Sequence, residues 1–243
     1  MKKTLLATTL ATITLISASS AFAADTVDLN VGGTIAATAC TPTLSGGGTI
    51  DFGDIKTDTL KQDDYTALPE KQIDITITCD GPTKIALHAI NNRIGSMGAG
   101  GSGGDTTGEP ASRGPDGTAP VVGLGMDGNT KIGSYSLAMK NTYVTADGGA
   151  PNVLTLNQAT SGTTAGHWMY SPKQSLYKYG WPNSLVSWGP PISGTSGVLS
   201  KVVAVKTMST TLSVLAYINK ASALDLTKPI KLDGSTTLEV VYL

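Results

Sequence analysis

Residues 25–40 read DTVDLNVGGTIAATAC, and the fold turns on how this stretch is used. Val27, Leu29 and Val31 alternate with polar residues, Gly33 keeps the parity and Ile35 closes the run. That is the two-residue period of a β-strand with one face meant for burial. The stretch ends on Cys40, the first of only two cysteines. A strand placed ahead of the cysteine that opens a domain need not pack on its own chain. It reads as a strand to be donated to a neighbouring molecule, with residues 24–39 as an extension and residues 40–243 as the domain.

What precedes this stretch reads as a secretory signal peptide over residues 1–23. Lys2 and Lys3 form a basic start, residues 5–16 are mostly apolar, and Ala21-Phe22-Ala23 is a small-x-small cleavage site. The apolar part falls short of the roughly 20 residues that a membrane-spanning helix needs. Without Lys2 and Lys3, the seventeen basic residues become fifteen against eighteen acidic ones, a net charge of −3. A nucleic-acid partner, which requires a concentrated basic face, is not expected. Aromatic residues are few and the 29 glycines suit short strands and many turns. No segment sustains a helical period.

In an exported chain an even cysteine count points to a disulfide between Cys40 and Cys79. The alternative, a metal site, lacks a CxxC, and His88 and His167 lie far from the cysteines in sequence. Along the chain, residues 49–55 read as a short alternating strand. Residues 72–78, QIDITIT, form the cleanest strand, with Ile73, Ile75, Ile77 and then Cys79 on one face. Residues 84–90, 121–126, 134–139, 198–205, 210–218 and 236–243 carry further strand signals, with weaker ones at 153–156 and around Trp168. Residues 91–120 are glycine-rich and form a loop insertion, and residues 171–197 read as irregular. Short strands separated by turn signals, with no helical pattern, define an antiparallel β-sandwich of one domain.

Several motifs are set aside on context. Residues 123–128 match GxGxxG, but turn and strand signals follow where a dinucleotide site needs a helix. Ser102 lies in a GxSxG match within polyglycine, which cannot hold a nucleophile in place. Asp63 and Asp64 read as a solvated turn. Asp105, Glu109 and Asp116 lack calcium-loop spacing. Trp168, Trp181 and Trp188 fit core or corner positions better than a sugar-stacking surface. No catalytic residue, metal or cofactor is expected.

Taken together, the two ends of the chain resemble the subunits of chaperone–usher fimbriae (pilins). The carrying residues are Leu29-Asn-Val31-Gly-Gly33-Thr-Ile35 with Cys40 seven residues after Gly33, Phe52-Gly53-Asp54-Ile55, the strand into Cys79, Leu215-Ala216-Tyr217, and Leu238-Glu-Val240-Val-Tyr242-Leu243. The match covers the first third and the last sixth of the chain. The resemblance implies an incomplete immunoglobulin-like sandwich that lacks its last strand. Val27, Leu29, Val31 and Ile35 would plug pockets in the next subunit, and Gly33 would meet a shallow one. Cys40–Cys79 would tie the first two strands together. Leu238, Val240 and Tyr242 would line the strand captured by a periplasmic chaperone, with the Leu243 carboxylate anchored by that chaperone's basic residues. The implied partners are that chaperone, an outer-membrane usher, neighbouring subunits joined head to tail and a host glycan or protein receptor. The implied location is the fimbrium at the cell surface. The implied function is structural and adhesive, and the alternative is a minor or tip subunit that binds carbohydrate.

The leader reading has a direct check. Mass spectrometry of the exported protein should show a chain beginning at Ala24, and an intact Met1 in the exported pool would refute it.

Overall fold

The computed structural model describes residues 27–34, 38–98, 120–157, 166–171, 173–177, 184–192 and 198–243. The leader, Ile35, Ser102, Asp105, Glu109, Asp116, Trp181 and all but the ends of the glycine-rich segment lie outside the described residues. By compactness the chain divides into Met1–Ala36 and Ala37–Leu243. In the first unit residues 27–34 form no strand, and Val27, Leu29 and Val31 are exposed. Alternation alone does not make a strand, because an isolated one has no ladder to satisfy its amides and carbonyls.

The second unit is all-β. Its strands of three or more described residues are β1 (Cys40–Leu44), β2 (Lys71–Thr83), β3 (Ile85–Asn91), β4 (Gly133–Lys140), β5 (Asn152–Asn157), β6 (His167–Tyr170), β7 (Lys173–Ser175), β8 (Leu185–Gly189), β9 (Val205–Ile218) and β10 (Thr236–Tyr242). Two sheets result, ordered β1-β2-β9-β4-β7 and β6-β5-β8-β3-β10, with every ladder antiparallel.

The core follows from the alternation. On β2, Ile73, Ile75, Ile77 and Cys79 are buried while Asp74 and Thr78 stay exposed. The same inward parity recurs in Ile85 and Leu87 on β3, Leu137 and Met139 on β4, and Met208 and Leu212 on β9. Each such side chain contributes about 1.5–3 kcal/mol when fully buried. Trp188 on β8 is wholly buried in the same cluster, so it is a core residue.

Cys40 and Cys79 face each other in the β1–β2 ladder and are disulfide-bonded across 39 residues of chain. The bond fastens the edge strand β1 to the most deeply buried strand beside it.

Several strand boundaries differ from the sequence reading. Residues 49–55 join no ladder: Gly53 takes φ +68° and donates its N–H to Asp51 Oδ1 at 2.8 Å. That left-handed turn favours glycine and breaks the extended run. Residues 198–204 carry only one bridge, Met169 to Leu199, and the strand expected there begins at Val205 and runs unbroken to Ile218. It bulges at its start, where the Asp147 carboxylate accepts the N–H groups of Lys206 and Thr207. The segment read as irregular contains β7 and β8, short strands that depend on partners in β4, β5 and β3. The GxGxxG match falls in a tight hairpin of Met126–Asp127 with Thr130–Lys131, with Gly128 at φ +59°. No helix follows it.

The double variant Cys40→Ser/Cys79→Ser should lose about 4 kcal/mol, the chain-entropy cost of releasing a loop of this length. The fall in urea midpoint measures it, and an unchanged midpoint would show that β1 is held by packing alone.

Candidate functional site: a free strand edge and the cleft beside it

Among the described residues, each sheet ends on a strand paired along one side only. β1 pairs with β2, and β10 pairs with β3, with Thr236–Tyr242 running opposite Ile85–Asn91. Between these two edges the sandwich is open.

The opening is lined by apolar residues. A cleft of about 190 Å³ lies between Leu44, Ile50 and Phe52 on one side and Leu232, Gly234 and Leu238 on the other. Tyr135 and Leu137 of β4 and Leu212 and Val214 of β9 also line it. A second cleft, of about 560 Å³, adjoins it through Ile50, Phe52 and Leu232. Its walls include Ile55 and Leu60 opposite Leu224 and Ile230. Part of each wall lacks main-chain partners: among the described residues, 50–52 and 228–232 make no backbone hydrogen bonds. Main-chain groups without partners beside apolar side chains are the features of an edge that invites another strand.

Polar contacts hold the β10 wall in place. Arg93 Nε donates to Asp233 Oδ2 at 2.9 Å and to the Asp233 carbonyl at 2.8 Å, and Arg93 Nη2 donates to Oδ1 at 2.8 Å. Asn92 Nδ2 reaches Ser235 Oγ at 3.1 Å and Thr237 Oγ1 at 2.9 Å. The guanidinium holds the Asp233 carboxyl below the usual carboxylate range, against a smaller opposing effect of burial. At the head of β10, Thr236 Oγ1 meets the hydroxyls of Tyr135 and Tyr177, the latter at 2.6 Å. Both rings are buried, and burial pushes both phenols above their ordinary value. These hydroxyls satisfy one another in a place where unpaired ones would be costly. At the other end of β10 the Cys40 N–H donates to Tyr242 Oη at 2.8 Å.

The residues singled out in the sequence fall as follows. Cys40 and Cys79 are bonded. Leu238 and Val240 are partly buried against the core, and Leu238 lines the smaller cleft. Tyr242 and Leu243 are about half exposed, at 51% and 50%. Val27, Leu29 and Val31 are exposed, and a Cβ built on Gly33 would meet nothing within 4 Å. Asp64 pairs with Lys61 at 3.2 Å in an exposed turn. His88 on β3 lies 3.3 Å from Glu239 on β10, while His167 sits on β6. Trp168 is half-buried on β6. Among the described residues no three His, Cys, Asp or Glu side chains gather as a metal site would need.

The sequence reading missed the wall at 224–232 and the side chains that brace it. Leu224, Leu226, Ile230 and Leu232 do alternate, but Pro229 sits within the run, and proline lowers the strand signal.

The fold and site therefore define an all-β sandwich protein with an open apolar edge. Comparison with known proteins adds relatives. The model of a family described as a protein of unknown function, DUF1120, matches residues 29–136. That span runs from the exposed segment through the disulfide and into β4. An Escherichia coli (strain K12) protein described as Uncharacterized protein YhcF is 36% identical over 138 residues, 55% of this chain and 58% of that protein. The chain thus matches a little over half the length of that relative. Protein GltF of the same strain is 28% identical over 259 residues, spanning 100% of this chain and 99% of its own length.

The brace at Asp233 has a pH signature. A carboxylate with a depressed folded value contributes stability that is present above its unfolded value and lost as pH falls through the folded one. Asp233→Asn should therefore flatten the decline in urea midpoint below about pH 4, the ordinary carboxylate value. An identical decline in both proteins would show that the pair contributes nothing.

Proposed function

We propose that this chain is a structural subunit of a chaperone–usher fimbria, completed by a strand from a neighbouring copy and joined to the next copy by its own N-terminal extension. The observation that carries the reading is the free edge of β10 beside an apolar cleft. In immunoglobulin-type sandwiches strands A, B, E and D form one sheet and C, F and G the other. Here β1-β2-β9-β4 corresponds to A-B-E-D and β3-β10 to C-F. Beyond β10, where G would lie, no strand among the described residues pairs. The missing strand is thus the one that would cover the cleft.

A donated strand supplies two things at once: main-chain bonds to the free edge and alternate side chains for the pockets. Val27, Leu29, Val31 and Ile35 have the required two-residue spacing. In three of the four the described side chain is exposed, as a plug awaiting a partner must be. Because donor and acceptor are different surfaces of one chain, the contact is head-to-tail and propagates instead of closing. Before assembly the edge is an aggregation hazard. The partners that follow from this are a periplasmic chaperone that covers the edge, an outer-membrane usher and adjacent subunits, with the finished fibre at the cell surface.

The test is polymerisation of the mature chain with and without residues 24–36. The full-length chain should form ordered multimers, and the truncated one should bind a synthetic peptide of residues 25–36 without multimerising. Gly33→Leu should give a folded subunit that no longer joins its neighbour. A full-length chain that stays monomeric and a truncated chain that ignores the peptide would sink the reading.

A further inference from the structure

Leu238 and Val240 pack toward the core, and Tyr242 follows them at the same parity on β10. Its side chain therefore leaves the strand on the face that looks across to the other sheet. Half of the ring stays exposed, so burial alone does not explain its placement. The hydroxyl accepts the Cys40 N–H at 2.8 Å, across a sequence separation of 202.

Cys40 is where the chain enters the sandwich. Its sulfur is bonded to Cys79. Beside it the Asp80 N–H donates to the Ala39 carbonyl at 2.9 Å, and the Ala39 N–H reaches Asp80 Oδ2 at 3.4 Å. The entry point is therefore gripped by β2 and its flank from one sheet and by Tyr242 from the other. The β2 grip includes a covalent bond to the buried Cys79. The Tyr242 grip depends on a strand whose second edge is free among the described residues.

We propose that Tyr242 is a positioning residue: its hydroxyl ties the free-edge strand to the root of the N-terminal extension, so that filling the edge steadies the segment this copy offers to the next. This rests on the strand-donation reading above. A strand bonded along both edges opens less often than one bonded along one. Steadying β10 steadies Tyr242, and through its hydroxyl the backbone at Cys40. The coupling is reciprocal, since any equilibrium linkage between two sites acts equally in both directions. A copy whose extension is engaged therefore holds an incoming strand more tightly, and a copy that has accepted a strand is the better donor.

The experiment measures amide hydrogen exchange at Cys40 in the mature chain carrying Gly33→Leu, which folds without joining its neighbour and so leaves the edge empty, and in the same chain with Tyr242→Phe, each with and without a synthetic peptide of residues 25–36. Phenylalanine keeps the ring and removes only the acceptor. Without peptide, the Tyr242→Phe chain should exchange about two- to twelvefold faster at Cys40, the net worth of one hydrogen bond, with Ile75 on β2 unchanged as a control. Peptide should slow Cys40 exchange in the Gly33→Leu chain and not in its Tyr242→Phe counterpart, although both bind it. Equal Cys40 exchange in the two peptide-free chains, or equal protection by peptide in both, overturns the proposal. If neither chain binds the peptide, the donation reading and the coupling both fail, while the peptide-free comparison still decides whether Tyr242 holds the root.

Discussion

A β-strand has two hydrogen-bonding edges, and among the described residues β10 is paired along one. That single imbalance organises what lies around it. The apolar residues of residues 49–60 and 224–238 face an opening where a covered sandwich would bury them. Leaving such a groove as it is exposes both apolar surface and unpaired main chain, which a covering strand would relieve. On the proposed reading, that strand comes from another copy of the same chain.

An open edge is workable only if the rest of the sandwich does not yield. β2 and β9 form the longest ladder, and their inward side chains sit in the core. The disulfide fastens the exposed edge strand β1 to that ladder. On the other sheet the brace is polar. Arg93 and Asn92 clasp the chain just before and within β10, and three hydroxyls meet at Thr236. Because these contacts all fall at the start of β10, they fix where it leaves β3 and leave its outer edge free. Tyr242 then secures the far end to Cys40. The groove is thus bounded at one end by a hydroxyl cluster and at the other by a single hydrogen bond.

Between β4 and β9, the strands β5, β6 and β8 enlarge the second sheet, while Tyr177 meets Thr236 at the head of β10. β5, β6 and β8 add to the side of β3 away from β10. Trp188 fills the core from this added part, which gives the enlargement its own hydrophobic anchor.

Much of this was written locally. Residues 72–78, 134–139 and 210–218 alternate strongly enough to announce strands, and inward parity through Ile77 placed Cys79 in the core before any partner was known. The alternation of residues 27–35, the paired cysteines and the chain-terminal strand could all be read without coordinates, because each depends on side-chain periodicity or residue chemistry within a few positions. The unpaired state of residues 49–55, the sheet order and the strands hidden in 171–197 could not. They depend on which distant segment supplies the other half of each hydrogen bond. Arg93 finds Asp233 across 140 positions, Tyr135 finds Thr236 across 101, and Cys40 finds Tyr242 across 202. The sequence by itself determined that the second unit is built of half-buried strands, and it marked residues 27–35 as one more alternating segment. Only the tertiary structure decided which edge was left without a partner, because an edge is defined by the neighbour it lacks.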